Sequence, residues 1–524
     1  MTKRTAAFGL VLPPRDWEAP TYRWLYASLR DEILEGRLQS GAKLPATRDL
    51  ARQYRLSRGT IVSAFELLKA EGYLRGTVGS GTYVSKILPD ALLQVPPAPG
   101  PRPSMQRKKK SSVSDYGRRA NLFFGYEIRP SRAFRPNVPA LDLFPTTLWA
   151  QITARRWRRA SMHLLLGCDP MGYRPLREAV ANYLSTSRGV KCGPEQIAIV
   201  SGVQEALDLT ARLFLNPGDR VSMENPGYVG ARMVFEAVGA KVSAVGLDDE
   251  GIKVGGQNLR GSGLIYVTPG HQFPLGTTMS LSRRLELLEW ARKSGALIFE
   301  DDYDSEYRYS GPPIPALQGF DRNGSVIFAG SFSKVLFPSL RLGYLVIPPQ
   351  LTARFAATIS LTTRHAPLPE QAVLCDFITE GHFGRHLRRM REVYAERLSV
   401  LMECAREKLA DFLEISEIEA GLQTVGWLRA GIDGESATRA AAARGVEVFP
   451  LSRYSRGRLA REGLQLGFAA VDTREIRRGV QDLATALEGE SKASQLLKVP
   501  RSGCRSSLRV GRTPIPVQKR PSRR

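Results

Sequence analysis

Apolar residues recur along this chain in two rhythms, and the change of rhythm divides it. Leu25, Leu29 and Ile33 fall at every fourth position, the stripe of an amphipathic helix, and Gly36 ends it. Leu44-Pro45-Ala46-Thr47 places a threonine in the capping position before a short helix over 48–54. A turn through Arg55-Leu56 leads to Ser57, a second capping residue. The helix behind it buries Ile61, Phe65 and Leu68 and stops at Gly72. Tyr73-Leu74-Arg75 and Thr82-Tyr83-Val84, joined through Gly79-Ser80-Gly81, read as a two-stranded hairpin, a wing beside the helices. Arg58, Gly59 and Thr60 then fall in the first turn of the third helix, with Ser63 further along. Those are the positions such a helix presents to base edges and phosphates, and Arg75 on the wing can reach the DNA backbone.

Beyond residue 120 short apolar runs alternate with helical patterns, as a mainly parallel sheet covered by helices requires. Residues 197–200 form a β-rich run, and Ser201-Gly202-Val203-Gln204 opens a helix through Ala206, Leu209 and Leu213. A glycine turn at a helix N-terminus offers free backbone N–H groups to a phosphate, although many α/β turns share that geometry. A strand over 261–269 leads to His271-Gln272-Phe273-Pro274-Leu275-Gly276. Residues 296–303 are apolar on both parities and end in acids, so they predict a central strand whose carboxyl end reaches a ligand edge. With a period of two, Asp301 and Tyr303 face one side and Asp302 the other. A last strand over 326–329 runs into Gly330-Ser331-Phe332-Ser333-Lys334, followed by Arg341-Leu342-Gly343-Tyr344.

Length and charge sharpen the picture. A chain of 524 residues is too long for one core. Its formal net charge of +24 favours a polyanionic partner. Part of that surplus lies outside folded units. The Pro-rich, basic stretch over 87–120 reads as a linker, and the basic segment over 490–524, poor in large apolar residues, reads as a disordered tail. Residues 1–20 read as an arm: their short apolar run stops at Pro13-Pro14 without a cleavage site, which argues against secretion. No apolar run reaches the roughly 18 residues of a spanning helix, so no membrane partner is expected. The five cysteines and five histidines are scattered, which argues against a disulfide framework or a metal site and for a reducing cytoplasm.

The run over 25–84, from LYASLRDEILEG to GSGTYV, closely resembles the DNA-binding domain of the GntR family. That resemblance implies a winged helix-turn-helix (α+β) over 21–86 that binds double-stranded operator DNA through Arg48, Ser57, Arg58, Thr60 and Arg75. Over 121–489 the motifs ENPGY, HQFPLG, EDDYDSEYRY and GSFSKVLFPSLRLGY occur in the order found in the fold-type-I aminotransferases. Joined to a GntR-type head, they resemble the MocR subfamily of regulators. The implied fold of this second domain is the α/β fold of type-I transferases dependent on pyridoxal 5′-phosphate (PLP). The resemblance makes Lys334 the lysine that forms the Schiff base. Asp301 suits the pyridine nitrogen, Tyr303 the ring's phenolic oxygen and Tyr228 the ring face. The phosphate falls to the amides of Gly202, Val203 and Gln204, the hydroxyls of Ser331 and Ser333, and Arg341. Arg453 stands where the superfamily places the arginine that holds an amino acid's carboxylate. In amino-acid-converting relatives an asparagine occupies the position of Phe273 and bonds the phenolic oxygen, so efficient transamination is in doubt here. The implied function is a homodimeric transcription regulator that senses an amino acid or amine through an external aldimine. An active aminotransferase with a DNA-binding appendage and a sensor of PLP itself are the alternatives.

Overall fold

The computed structural model describes residues 20–77, 81–86, 113–121 and 130–498, apart from 256, 312, 313 and 417, together with Pro13. The arm over 1–20 apart from Pro13 and Pro20, most of the 87–120 stretch and the tail beyond 498 lie outside the described residues. Two compact units divide the chain at Ser111. Among the described residues no helix is long and apolar enough to cross a membrane.

The first unit is a small helical core with a wing. Helices α1 (Thr21–Leu34), α2 (Thr47–Gln53) and α3 (Arg58–Ala70) pack with a three-stranded sheet of β1 (Lys43–Leu44), β2 (Leu74–Thr77) and β3 (Gly81–Val84), ordered β1-β3-β2. Leu25, Leu29, Ile33, Leu50, Ile61, Phe65 and Leu68 are the buried faces of the three helices. Each contributes roughly 1.5–3 kcal/mol by leaving water, which is the energetic reason the three short helices hold together. One expectation is corrected. The cap of α2 is Ala46, not Thr47, because the Ala46 carbonyl already accepts from the amides of Asp49 and Leu50, which makes Thr47 the first helical residue. Ser57 does cap α3, accepting from the Thr60 amide at 3.0 Å.

The second unit is built on an eight-stranded sheet ordered β4-β11-β10-β9-β8-β5-β6-β7. Its strands are β4 (Ile197–Val200), β5 (Arg220–Asn225), β6 (Lys241–Asp248), β7 (Gly251–Ile252), β8 (Ser262–Val267), β9 (Leu297–Asp302), β10 (Val326–Ser331) and β11 (Gly343–Val346). Strands β6, β5, β8, β9 and β10 pair in parallel. Strand β11 runs antiparallel to both β10 and β4, and β7 runs antiparallel to β6. The sheet is therefore mainly parallel but mixed. Strand β9 is buried on both faces, as its doubly apolar pattern predicts. Helix α4 (Val203–Phe214) follows β4, and α5 (Phe332–Val335) follows β10. A separate four-stranded sheet, β12 (Leu413–Ile415), β13 (Gln423–Leu428), β14 (Phe449–Pro450) and β15 (Gly463–Gly467), is ordered β12-β13-β15-β14, and its Leu464 and Leu466 share a buried core with Ile476, Val480 and Leu483 of helix α6 (Thr473–Lys498).

Two segments depart from the sequence reading. Helix α6 continues past the boundary at 490, through a stretch rich in good helix formers that holds no glycine or proline before Pro500. At the end of the linker stretch, Ser114 caps a short helix over Asp115–Arg119, and Arg119 Nε donates to the Ala237 carbonyl at 3.0 Å. That end is tied to the second unit.

Candidate functional site

The direction of the strands collects the candidate residues. Strands β4, β5, β8, β9 and β10 end at one edge, and the reversed β11 begins there. That edge thus receives Gly202, Tyr228, His271, Asp301 and Lys334 from five carboxyl ends and Arg341 from the approach to β11. Register keeps them level: Ala329 pairs with Asp301, and Ser331 with Gly343.

Lys334 lies in α5, directly after β10, and its Nζ donates to the Asn137 carbonyl at 2.9 Å. Asn137 is itself held through its amide by Gln423 Oε1 at 2.9 Å. Burial pushes the Lys334 amine down to about 8, and Asp304 and Asp301 partly oppose that shift. A buried amine of this kind is substantially neutral near pH 8, which is what an amine nucleophile needs. We expect PLP uptake, followed by absorbance after mixing, to accelerate about tenfold per pH unit until the amine is mostly neutral near pH 8, and then to level off. A rate that went on rising to the ordinary lysine range would show that Lys334 is not the group taking up PLP.

Asp301 is buried at the end of β9. Its Oδ2 accepts from the Tyr266 hydroxyl at 2.6 Å, while Oδ1 is buried without a partner. Burial raises its carboxyl to about 7, opposed by the Tyr266 bond. An orphaned buried carboxylate oxygen is costly unless something fills the place opposite it, and a protonated ring nitrogen would. Asp302 faces the other way, as the period of two requires, in a buried pair with Arg188 at 2.8 Å.

The proposed phosphate donors also converge. Gly202 is the cap of α4 at φ +105°, a conformation that favours glycine, and a Cβ there would touch the Arg341 guanidinium at 3.5 Å. Val203 and Gln204 open α4, whose first amides point away from the helix. The Ser331 hydroxyl accepts from the Ser333 amide at 3.2 Å, and Ser333 Oγ is buried with no partner. The amides, two serines and one arginine suit a dianion.

Aromatic rings wall the edge. Tyr228 lies nearly parallel to Tyr266 with centroids 6.4 Å apart, and Gln204 Nε2 donates to its hydroxyl at 3.0 Å. Phe273 meets Tyr228, Tyr303 and Tyr454 edge-on at 5.8, 5.8 and 5.1 Å. The Tyr303 hydroxyl is 3.0 Å from His271 Nδ1. Arg453 is placed less directly. It lies on a short turn, Leu451–Tyr454, with its guanidinium 4.7 Å over the Phe449 ring; its neighbour Tyr454 reaches the cluster through Phe273 and accepts from the Gly227 amide at 3.0 Å.

Sequence reasoning missed four contributors. Tyr266 holds Asp301. Glu224, buried and raised to about 7 by burial, accepts from the Thr268 hydroxyl at 2.7 Å and so joins the turns after β5 and β8. His271 and Asp304 form a buried pair. The one available signal for Tyr266 was a hydroxyl in the otherwise apolar run 264–267.

In the first unit, Arg48, Ser57, Arg58 and Arg75 are exposed, and Thr60 is half-buried. The Ser57 and Thr60 hydroxyls lie 2.8 Å apart, so Ser57 serves the cap as well as the surface. Helix α3 therefore presents Arg58 at an N-terminus whose free amides favour an anion.

Comparison with known proteins agrees with both halves. Residues 140–483 match the aminotransferase class I and II family, and residues 21–84 match the bacterial regulatory proteins of the gntR family. The chain is 41% identical over 473 residues to a protein of Rhizobium meliloti described as "Probable rhizopine catabolism regulatory protein MocR", covering 90% of this chain and 94% of that one. It is 30% identical to the HTH-type pyridoxine biosynthesis transcriptional regulator PdxR of Corynebacterium glutamicum, over 88% of this chain and 95% of that one. The crystal structure of kynurenine aminotransferase from Pyrococcus horikoshii, in complex with PMP, superposes with a TM-score of 0.63 at 29% identity, covering 69% of this chain and 92% of that one.

Proposed function

Because the chain belongs to the MocR-type regulators, a GntR-family head on a class I and II aminotransferase body, we propose that it reads an amino acid or amine at the Lys334 edge and adjusts DNA binding accordingly. The observation that carries this reading is the convergence on one sheet edge of a buried, depressed lysine, a carboxylate with an orphaned oxygen, and a cradle of amide and hydroxyl donors. When bound, PLP supplies an aldehyde carbon that a primary amine can attack and a ring that withdraws electrons from it. Asp301 would hold the ring nitrogen's proton, Tyr303 would serve the phenolic oxygen and Tyr228 the ring face. Gly202, Val203, Gln204, Ser331, Ser333 and Arg341 would take the phosphate, and Arg453 would be available to an effector's carboxylate.

An amine that takes the place of Lys334 changes the contacts at this edge. A ligand shifts a conformational equilibrium only by such differential contacts. The experiment is DNA-binding anisotropy of the PLP-loaded protein against a panel of amino acids and amines, run beside a steady-state transamination assay with keto acids. A change in affinity with some amine and no sustained turnover is the expected result. Sustained turnover would favour a working aminotransferase. Regulation by PLP alone would favour the sensor reading.

The head acts on operator DNA through Arg48, Arg58, Thr60 and Arg75, and the site of action is the cytoplasm. Arg58→Ala is expected to weaken operator binding by about 1–3 kcal/mol and to reduce its salt dependence, with the PLP absorbance unchanged. Unchanged DNA affinity would remove Arg58 from the interface.

A homodimer is the assembly we propose. Met162, Leu165, Leu166 and Leu361 are all more than half exposed, and Gly167 and His365 bring their segments side by side. A patch of that kind marks an interaction surface. Sedimentation is expected to give a two-chain species that Leu166→Asp converts to monomer; a monomeric parent chain would overturn the assignment.

A further inference from the structure

His271 is a buried ionisable group at this edge to which the reading above gives no role. It is 4% exposed, in the turn after β8. Its Nδ1 lies 3.0 and 3.1 Å from the two carboxylate oxygens of Asp304 and 3.0 Å from the Tyr303 hydroxyl. Asp304 is fully buried and also accepts from the Leu422 amide at 3.3 Å, so its carboxylate cannot swing away. The ring itself is held between two glycines. A Cβ on Gly421, at φ +97°, would fall 2.1 Å from Cε1, and one on Gly276 would fall 3.2 Å from Nε2. Nε2 is buried with no hydrogen-bond partner.

These contacts fix where the protons sit. A buried N–H without an acceptor costs the full desolvation of that group, so the hydrogen belongs on Nδ1, beside Asp304, with the bare lone pair at Nε2. Nδ1–H then faces two acceptors, the Asp304 carboxylate and the Tyr303 oxygen. Because the Tyr303 oxygen accepts hydrogen bonds from His271 Nδ1–H and from the Gln423 side chain, it has no acceptor in those directions for its own O–H, which is left to point elsewhere. We propose that His271, braced by Asp304, is a positioning residue that aims the Tyr303 proton into the Lys334 pocket. This rests on the assignment of Tyr303 to the phenolic oxygen of PLP. It also explains how Phe273, which offers that oxygen no donor, is tolerated there.

A phenol donating to the ring oxygen withdraws charge from it and weakens that oxygen's hold on the proton of the adjoining Lys334 nitrogen. The proton affinity of the PLP-bound lysine is readable as the midpoint of the absorbance change with pH in the full-length, PLP-loaded chain. His271→Leu, which fills the space without a donor, is expected to raise that proton affinity about tenfold, and Tyr303→Phe at least as much. His271→Asn, whose amide N–H replaces Nδ1–H, should restore the parent midpoint, whereas His271→Gln, which places its amide at the Nε2 position, should not. If Tyr303→Phe moves the midpoint and His271→Leu does not, His271 only fills space and the inference falls while the Tyr303 assignment stands. If Tyr303→Phe moves nothing, that assignment falls first. Should a His271 variant fail to fold, nitrogen-15 spectra of the unsubstituted chain, which has five histidines, still decide. Two rings protonated at Nδ1 rather than Nε2 are expected, His271 and also His365, whose Nδ1 faces the Ala366 carbonyl at 2.8 Å, and finding only one would overturn the proposal.

Discussion

Lys334→Ala should give a folded protein that shows no lysine-bound PLP absorbance, binds operator DNA with unchanged affinity and ignores every amine. The three outcomes follow from where the residue sits. Lys334 is on a four-residue helix after β10, and its side chain makes one hydrogen bond, to the Asn137 carbonyl. Removing it takes away the nucleophile while Asp301, the Gly202 turn and the serine donors remain, so PLP can still occupy the edge without a covalent bond. The head has its own core, built from Leu25, Leu29, Ile61, Phe65 and Leu68, and depends on nothing at the sheet edge for its fold. On the proposed reading, what is lost is the exchange of one amine for another at a fixed point, and with it the differential contact that would bias the equilibrium. Absorbance, operator anisotropy and an amine titration of the same preparation check this together. An amine response that survives in Lys334→Ala would place the effector elsewhere and sink the sensing mechanism.

Much of this arrangement is legible in the sequence because it depends on short-range pattern. The stripe Leu25, Leu29, Ile33, the cap at Ser57 and the doubly apolar run ending in Asp301-Asp302 each declare an element within a few residues, and all three form as expected. The alternation that turns Asp302 to Arg188 and Asp301 toward Tyr266 follows from strand geometry alone. The ordered motifs then give roles to Lys334 and its neighbours, which no period or composition could do. What stays hidden are contacts between residues distant in sequence. Tyr266 and Asp301 meet because β8 and β9 pair in register, and His271, Tyr303 and Asp304 meet because two turns leave the same edge. A histidine after a strand has no signature that distinguishes a proton-bearing support from a core residue. The cap of α2 escapes the pattern for a smaller reason: threonine is a good cap, but the backbone has already begun its helical bonds at Ala46. The segment after 490 is basic throughout, which suggests a tail, yet its first residues are also good helix formers and continue α6.

The second large effect belongs to Asp301. Asp301→Ala is expected to weaken PLP binding by about 3–5 kcal/mol, on the order of a thousandfold, the usual result of removing one partner of a buried charge pair. The parent carboxylate is buried and raised to about 7 by that burial, with one oxygen on Tyr266 and the other unpartnered. An acid in that state is poorly matched to an empty pocket and well matched to a ring nitrogen with which it can share a proton. Binding therefore relieves a cost that the fold itself imposes. Alanine removes the acid and also orphans the Tyr266 hydroxyl, so two effects are combined. Asp301→Asn separates them, since the amide oxygen can still accept from Tyr266 while the charge is gone. If most of the loss persists in Asp301→Asn, it is the negative charge facing the ring nitrogen that holds PLP. If Asp301→Asn binds PLP as the parent does, the acid only supports Tyr266, and its assignment to the ring is wrong. Equilibrium dialysis at fixed pH measures both variants, with operator binding as the control that the head is intact.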